Sequence, residues 1–321
     1  MSTKDTVLAL FEKNKGFYVS GERIASELNI SRTAVWKAVK KLQREGYEIK
    51  AVTNRGYCLD KDADVLSAHG IRSFFGSECA DLRPEVFVTV DSTNNVCREK
   101  AVRGEAEGYV AVAGAQTLGR GRRGRSFYSP AGSGIYMSIL LRPEGYSEKQ
   151  VLHLTTMAAA AVCGSIRKLS GKDAGIKWVN DILIDGRKVC GILAEADYSS
   201  EGVVDDVIVG IGINAYPPDK GFPADLSQTA GSVFDYPEAG LKNELAGTIL
   251  SRFMEYYMSG NNGSEDYRDM CIVPGKDINV IRPEGSVTAH AVGLDDDCGL
   301  IVRYEDGTEE VLRSGEISIR L

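Results

Sequence analysis

The sequence predicts an α+β protein of three parts: an N-terminal winged helix-turn-helix, a central mixed α/β domain and a C-terminal small β-barrel. Three short amphipathic helices and a hairpin are expected within the first 59 residues. The middle of the chain mixes short strands with few clean strand–helix–strand crossovers. About the last fifty residues alternate apolar and polar positions between glycine-containing turns. With 321 residues, each part can bury its own core.

Three helices are predicted near the amino terminus, over Thr3–Lys15, after Ser20 and over Arg32–Glu45. Ser20 and Ser31 are good N-caps, and Asn29-Ile30-Ser31 is typical of a tight turn. The inward faces are expected to comprise Val7, Leu10, Phe11, Ile24, Ala25, Leu28, Val35, Val39 and Leu42. This is the helical part of a helix-turn-helix plan.

The third helix leaves a polar and basic face outside the core. With its N-cap, this face consists of Ser31, Arg32, Thr33, Trp36, Lys37 and Lys40. Gly46 ends the helix, and Tyr47–Val52 and Tyr57–Leu59, joined across Thr53–Gly56, predict a hairpin wing. Any amphipathic helix has a polar face, but one between a two-helix turn and a wing more often reads a DNA groove.

The charge distribution supports that interpretation. The net charge of −7 alone argues against a nucleic-acid binder. Residues 1–59, however, hold eleven Lys or Arg and six Asp or Glu, a balance of +5. Subtracting +5 from −7 leaves −12 for the remaining 262 residues. A basic module attached to an acidic body is therefore expected.

Several function classes are disfavoured. The chain lacks an apolar stretch of membrane-spanning length, and its start lacks a signal-peptide pattern, which predicts a cytoplasmic protein without a membrane partner. Seven scattered cysteines without a CxxC pair indicate reduced thiols. Three histidines show no metal-ligand spacing, so no metal site is expected. Catalysis should rest on Lys, Arg and Asp.

A polar link at Asp60–Asp64 separates the first module from the catalytic part. A helix is expected over Val151–Lys168, and strands over Val86–Val90, Tyr109–Ala115, Gly134–Leu141, Lys177–Ile184, Lys188–Glu195 and Asp206–Ile213. Barrel strands are expected over Ile278–Ile281, Val287–Leu294, Leu300–Tyr304, Glu310–Leu312 and Glu316–Ile319. The predicted domains are residues 1–65, 66–270 and 271–321.

The most unusual segment is Gly119–Arg125, GRGRRGR. Its three glycines free the backbone, and its four arginines concentrate positive charge in an acidic part of the chain. A solvated surface loop would seldom hold this pattern. A nucleic-acid arm of the RGG type is the alternative, but such an arm would normally be a low-complexity terminal tail. The segment therefore predicts a mobile loop that captures a phosphate-bearing ligand, since guanidinium groups match phosphate oxygens in pairs.

Further motifs surround this segment: Gln116 before it, DSTN at 91–94, KWVNDIL at 177–183 and GRKVCGILAE at 186–195. Together and in this order they resemble the bacterial biotin–protein ligases, over essentially the whole chain. The N-terminal module matches the bifunctional subset, which also represses the biotin operon. The resemblance implies a class II synthetase-like catalytic domain, an SH3-like barrel, and biotin and ATP with Mg²⁺ as substrates.

The resemblance also implies residue roles. Biotin would be contacted by Ser92, Thr93, Asn94, Gln116, Arg120, Gly121, Arg122 and Lys188. The nucleotide would be contacted by Arg122, Arg125, Phe127, Asp181 and Asn214. Catalysis would rest on Lys188, Arg122 and Asp181.

Each role has a plainer alternative. Ser92 and its neighbours also read as an ordinary helix start, Phe127 as a core aromatic and Asp181 as a turn residue. Arg187 competes with Lys188, although the spacing to Gly191 favours Lys188. Pro is usual in the family at position 179, where this chain has Val, a change that could relax a turn. The run at 210–214 lacks GxGxxG spacing, so a Rossmann interpretation is weak.

The implied reaction has two steps, formation of biotinyl-5′-AMP and transfer of biotin to a lysine of the biotin carboxyl carrier protein of acetyl-CoA carboxylase. The implied regulation is binding to the operator DNA of biotin genes by a homodimer that the adenylate promotes. Three rivals remain: a lipoate ligase-like adenylating enzyme, a biotin-sensing repressor without ligase activity, and an enzyme whose residues 1–65 contact only protein. The arginine-rich loop and the N-terminal module favour biotin over lipoate.

Overall fold

The computed structural model describes residues 2–143, 145–198, 203–282 and 285–319. The chain divides into two compact units, one formed by residues 1–74 and 237–247, the other by residues 75–236 and 248–321. No helix within the described ranges has the length and apolar character needed to cross a membrane. All seven cysteines fall in these ranges and are free thiols.

The first unit contains the predicted three helices and hairpin. Its elements are α1 (Thr3–Lys13), α2 (Gly21–Glu27), α3 (Arg32–Arg44), β1 (Ile49–Val52), β2 (Gly56–Leu59) and α4 (Ala68–Arg72). The hydroxyls of Ser20 and Ser31 accept the backbone N–H groups of Arg23 and Ala34, each at 3.1 Å, as N-caps do. Gly46, with φ of 93°, follows the end of α3. The predicted winged helix-turn-helix is confirmed.

The core of this module contains the predicted apolar set, with Ala25 and Leu28 only partly buried, and adds Leu8, Ala38 and residues of the turns and wing. Its fully buried members include Val7, Phe11, Ile24, Val35 and Leu42. Because these positions recur at helical spacing on α1, α2 and α3, their burial packs the three helices against one another and leaves the opposite face of α3 in solvent.

A seven-stranded mixed sheet forms the centre of the second unit. Its strands are β3 (Arg83–Phe87), β4 (Tyr109–Ala113), β5 (Gly134–Leu141), β6 (Gly175–Lys177), β7 (Asp181–Ile184), β8 (Arg187–Tyr198) and β9 (Val204–Asn214). The order is β3-β4-β5-β9-β8-β7-β6, with β3 and β4 parallel and the other pairs antiparallel. The helices are α5 (Thr93–Val102), α6 (Glu148–Ser170), α7 (Leu241–Ser259), which begins in the first unit, and α8 (Ser264–Met270).

Two predicted strands of this sheet were wrong in their limits. Lys177–Ile184, expected as one strand, forms β6 and β7, which pair as a hairpin through a turn with a cis peptide between Trp178 and Val179. The segment contains no Gly or Pro, although Asn180 and Asp181 are turn-favouring residues. The first strand is β3 rather than Val86–Val90, and Val90 forms an isolated bridge with Gln116 instead.

The carboxyl-terminal region contains all five strands predicted for the small barrel. They are β10 (Asp277–Arg282), β11 (Gly285–Leu294), β12 (Leu300–Tyr304), β13 (Glu309–Leu312) and β14 (Glu316–Ile319). They pair antiparallel in the order β13-β12-β11-β10-β14. Alternate residues such as Ile278, Val280, Ala289 and Ala291 are buried, which gives this small sheet its own core.

Candidate functional site

A cleft of the second unit lies where β8 and β9 meet the segment Gly119–Arg125, here called the Gly-Arg loop. It holds about 970 Å³ of empty space, including its open mouth. The charged residues described along its lining are Arg120, Arg122, Arg123, Arg125, Lys177, Lys188, Asp181 and Glu316. Cations outnumber carboxylates, so the cleft is suited to an anionic ligand.

One wall of the cleft is a set of polar groups at the start of α5. The backbone N–H and hydroxyl of Thr93 donate to Gln116 Oε1 at 2.9 and 3.2 Å. The Ser138 hydroxyl donates to Asn94 Oδ1 at 2.6 Å and lies 2.7 Å from the Thr93 hydroxyl oxygen. Ser92 occupies the N-cap position of α5 but makes no side-chain capping bond. The wall therefore presents a fixed array of buried donors and acceptors beside the cationic cleft.

The floor of the cleft is formed by two facing glycines under an aromatic ring. Gly191 on β8 pairs with Gly212 on β9. A Cβ at Gly212 would lie 2.7 Å from the ring of Phe127, and one at Gly191 would lie 3.2 Å from it. The missing side chains thus make room for Phe127, which also packs edge-on against Tyr136 with ring centres 6.3 Å apart. Phe127 is therefore a lining residue of the cleft.

Lys188 and Asp181 form an ion pair inside the cleft. Lys188 Nζ lies 2.6 Å from Asp181 Oδ1, although that oxygen lacks hydrogen-bond geometry toward any described group. The side chains are 36% and 21% exposed, so an entering ligand can reach both. Arg187, the alternative to Lys188, is exposed and does not line this cleft. The structure thus places Lys188, rather than Arg187, among the charged groups of the site.

Two arginines tie the Gly-Arg loop to the start of β14. Arg122 donates to Asn180 Oδ1 at 3.1 Å and to the carbonyl oxygen of Gly315 at 3.0 Å. Arg125 donates both terminal nitrogens to the carboxylate of Glu316, at 2.6 and 2.9 Å. Such a fork is the strong geometry for an Arg–carboxylate pair. The loop is therefore fastened to the carboxyl-terminal sheet.

Arg122 and Glu316 both have pKa values that differ from their ordinary ones. Burial is the main cause of a lowered pKa for Arg122, and the charge of Arg123 adds to it. Partial burial acts to raise the pKa of Glu316, but hydrogen bonds and charge from Arg125 outweigh it and hold the pKa below its usual range. A partly buried guanidinium gains from an anionic partner, so Arg122 favours a phosphate or carboxylate in the cleft.

All but one of the predicted biotin and nucleotide residues line this cleft. The exception is Asn214 at the end of β9, whose side-chain amide donates to the carbonyl oxygens of Lys188 at 3.4 Å and Gly231 at 3.0 Å. Sequence reasoning missed Ser138, Glu195 and Glu316. A hydroxyl or carboxylate interrupting an apolar strand could have indicated Ser138 and Glu195. Glu316 lies 191 positions from Arg125, so its contact has no local signal.

The first unit carries a separate candidate surface on α3. Arg32, Thr33, Trp36, Lys37 and Lys40 are all exposed, and Trp36 is 51% exposed. The wing adds Arg55, whose guanidinium carbon lies 4.2 Å from the centre of the Tyr18 ring. An exposed helix with this basic and aromatic face has the composition of a groove-reading element.

The sequence matches three family models. Residues 86–214 match the biotin/lipoate A/B protein ligase family, residues 3–58 an HTH domain, and residues 275–320 the biotin protein ligase C terminal domain. Each match falls on a part of the chain whose fold is described above.

Relatives extend over most of the chain. The bifunctional ligase/repressor BirA of Bacillus subtilis is 34% identical over 313 residues, or 95% of each chain. That of Salmonella typhimurium is 32% identical over 62% of this chain and 60% of its own. Among solved structures, the biotin protein ligase from Aquifex aeolicus in complex with biotin and ATP aligns with a TM-score of 0.61 and 26% identity, over 74% of this chain and 98% of that one. The shared sequence, the three domain matches and the cationic cleft place this chain in the biotin protein ligase family, among its bifunctional ligase/repressor members.

Proposed function

We propose that this chain joins biotin to a carrier protein in two steps. Biotin and Mg-ATP first form biotinyl-5′-AMP and pyrophosphate, and a lysine of biotin carboxyl carrier protein then displaces AMP. The observation that carries the proposal is a single cleft in which Thr93, Gln116, Arg122 and Lys188 lie together. This combination offers a neutral donor–acceptor wall and a cationic end, as a ligand with a cyclic urea and a carboxylate requires.

The first step brings two anions together. A carboxylate oxygen of biotin attacks the α-phosphorus, and the bond to the β-phosphate oxygen breaks, releasing pyrophosphate. Arg122 and Lys188 offset the repulsion between the reactants and stabilise the charge that develops on the phosphoryl oxygens. Asp181, 2.6 Å from Lys188, orients that ammonium. Mg²⁺ enters with ATP as part of the substrate.

The second step consumes the mixed anhydride. The amine of the carrier lysine attacks the acyl carbon, AMP leaves with the electron pair of the broken C–O bond, and the amine loses a proton. The carrier is the biotin carboxyl carrier protein of acetyl-CoA carboxylase. The Gly-Arg loop is fastened through Arg125 to Glu316. It excludes water from the bound adenylate until the carrier lysine attacks. The reaction takes place in the cytoplasm, in keeping with the free thiols.

The same chain is proposed to repress biotin genes. The face of α3 that contains Trp36, Lys37 and Lys40 enters the major groove of operator DNA, and the wing contacts the backbone. One such module spans few base pairs, so a homodimer is needed to reach useful specificity. Biotinyl-adenylate promotes that dimer, and by linkage the dimer binds adenylate more tightly.

One experiment tests both activities in the full-length protein. Pyrophosphate release is measured with biotin or lipoate, with and without carrier, alongside operator titrations with and without a non-hydrolysable adenylate analogue. We expect release and carrier labelling with biotin only, and tighter operator binding with the analogue. Release with lipoate in place of biotin would mean a lipoate ligase. Labelling without operator binding would leave an enzyme alone.

A further inference from the structure

A carboxylate beside the Gly-Arg loop, Glu195 on β8, connects three elements of the second unit. Its Oε2 accepts a hydrogen bond from Asn94 Nδ2 at 2.7 Å and lies 3.2 Å from Arg98 Nη2. Its Oε1 lies 3.1 Å from Arg120 Nη2. The side chain is only 22% exposed, so these interactions are partly shielded from water. Glu195 thus joins β8 to α5 and to the loop.

Arg120 is held from two sides by these elements. Its Nη1 donates to Asn95 Oδ1 on α5 at 3.1 Å, while its Nη2 faces Glu195. The residue lies between Gly119 and Gly121, where the backbone has unusual conformational freedom. The side chain of Arg120 therefore anchors the first half of the Gly-Arg loop, beside the backbone hydrogen bond that the Phe127 N–H donates to the Gly119 carbonyl oxygen at 2.9 Å.

Glu195 also reaches the polar wall of the cleft. From Glu195 the hydrogen-bonded network runs in order through Asn94, Ser138, Thr93 and Gln116. Gln116 lies four residues before Arg120, which returns to Glu195 and closes the circuit. Gly210 on β9 makes room for the network, because a Cβ there would collide with the Asn94 side chain. One carboxylate thus stabilises both the wall and the loop.

We propose that Glu195 is a positioning residue that sets the affinity for biotin by holding Arg120 in place when the Gly-Arg loop is closed. This inference rests on the proposed ligase function. A contact that stabilises the closed loop favours the state that retains biotin, so the affinity is higher. Glu195 acts through Arg120 and Asn94, whereas Lys188 and Arg122 serve the chemistry. Loss of the Glu195 carboxylate therefore raises the KM for biotin and leaves kcat for adenylate formation nearly unchanged.

The test uses Glu195→Gln in the full-length protein. The amide oxygen still accepts from Asn94, but the charge that faces the two guanidinium groups is gone. We expect biotin to bind about tenfold more weakly, the effect of losing two partly exposed ion pairs. Asp197→Asn is the matched control, since Asp197 is exposed and lies two residues along the same strand, on the same face. It should bind biotin like the wild type.

A second variant separates positioning from general stability. Arg120→Gln lies in a loop rather than in the sheet, and it should weaken biotin binding to a similar extent. The double variant should be little worse than Glu195→Gln alone, because Arg120→Gln removes one of the two ion pairs that Glu195→Gln already removes. Biotin affinity is measured by calorimetry without ATP, kcat and KM by pyrophosphate release, and folding by thermal scans.

The outcomes separate this inference from the proposed function. An unchanged biotin affinity in Glu195→Gln, additive effects in the double variant, or a fall in kcat at constant KM each overturns the positioning role while the wild type remains a biotin ligase. If Glu195→Gln does not fold, Glu195→Asp, which keeps the charge on a shorter side chain, decides in its place between a raised and an unchanged KM. A wild-type protein that neither binds biotin nor releases pyrophosphate with it overturns the proposed function itself.

Discussion

The charged side chains of the cleft have partners of different kinds before any ligand enters. Lys188 Nζ lies 2.6 Å from the carboxylate of Asp181, and Arg125 donates two hydrogen bonds to the carboxylate of Glu316. Arg122 instead donates to two neutral acceptors, the amide oxygen of Asn180 and the carbonyl oxygen of Gly315. A guanidinium that exchanges neutral acceptors for a phosphate gains stronger, charge-assisted hydrogen bonds. One that must first leave a carboxylate loses bonds of the same kind, so its net gain in binding free energy is smaller. We therefore expect Arg122 to bind the nucleotide at a lower cost than Lys188 or Arg125 would.

Lys188→Ala should abolish most adenylate formation. The substitution removes the ammonium that stabilises the phosphoryl transition state, so pyrophosphate release should fall by roughly 10²–10³-fold. Arg187→Ala is the neighbouring control and should retain activity within about threefold, the range of an exposed surface change. Pyrophosphate release at saturating biotin and ATP measures both. A Lys188→Ala enzyme as active as Arg187→Ala would remove Lys188 from the chemistry.

Glu12→Gln should make the first unit less sensitive to pH. Burial raises the pKa of Glu12, against opposing contributions from the Ser67 hydroxyl, His69 and Lys15. The folded state therefore keeps a proton on Glu12 above its ordinary pKa of 4.5, where the unfolded chain has lost it. This contribution to stability is complete below the ordinary pKa and is lost as the pH rises through the folded value.

The measurement is the unfolding midpoint of both proteins from pH 4 to pH 8. At neutral pH the variant should be more stable by a few degrees, because the neutral amide can still accept from Ser67 without burying a charge. The difference should shrink toward pH 4. A difference that is independent of pH would show that ionisation of Glu12 is not its origin.

At the scale of elements, the Gly-Arg loop is fixed at both ends to different partners. Arg120 fastens its first half to α5 and β8, and Arg125 fastens its second half to β14. Between these anchors, the Gly121 N–H donates a hydrogen bond to the Arg125 carbonyl oxygen at 2.7 Å. These two anchors support the proposed role of the loop as a lid, and the second of them comes from the carboxyl-terminal sheet.

Arg122→Gly should allow biotinyl-adenylate to dissociate from the enzyme before transfer. The change removes a guanidinium from the centre of the lid and adds backbone freedom, so biotinyl-adenylate should escape and label lysines of bystander proteins. Arg123→Gly is a suitable control, because Arg123 already has φ of 55°, a conformation that glycine adopts without strain. Mass spectrometry of a protein mixture records the labelled lysines. Labelling confined to the carrier in Arg122→Gly would contradict the lid.

The elements differ in how far the sequence could predict them. β5, β12 and β14 match the predicted limits because each is a short alternating or apolar run bounded by turn residues. α7 was missed, although Leu245, Ile249 and Phe253 recur every four residues and are fully buried. The β6–β7 turn has no Gly or Pro and is set by tertiary contacts, such as the Tyr267 hydroxyl donating to the Val179 carbonyl at 3.0 Å. Asn180 and Asp181 are turn-favouring residues and gave a local signal, in line with the alternative interpretation of Asp181 as a turn residue.

The site shows the same division. Motif resemblance brought out Thr93, Gln116, Arg122 and Lys188 because they lie in short signature runs. Glu316 depends on a contact across most of the chain, and Asn214 uses its amide on neighbouring carbonyls, which its position in a motif does not reveal. Motif resemblance thus identifies the residues proposed to contact a ligand more easily than the residues that position those side chains.

At the scale of the whole molecule, the positive charge is concentrated in the amino-terminal module and the rest of the chain is acidic. The first 59 residues carry +5 within a chain of net −7, so DNA should be attracted to one module only. Exposed Lys37 and Lys40 on α3 are the expected phosphate contacts. Operator affinity should therefore fall steeply with salt, since each phosphate contact releases counterions.

Replacing Lys37 and Lys40 together by Glu should abolish operator binding at moderate salt and spare the ligase. Where binding is still measurable, the slope of log K against log salt should become shallower by about two, for two lost contacts. Lys13→Glu with Lys61→Glu, both exposed, changes the net charge equally away from α3. A similar loss in this control pair would point to general charge rather than to the helix.

The first unit is not continuous in the gene. The Asp64 carboxylate accepts the backbone N–H of Lys242 at 3.0 Å, and Asn243 bonds the backbone of Val65 and Ser67, both at 2.9 Å. These partners are 176 to 178 codons apart. An early deletion that removed only the leading codons would strand polar groups at the start of α7. The residues that complete the first unit are thus encoded in a second, distant part of the gene, so the amino-terminal codons alone do not specify the whole of this unit.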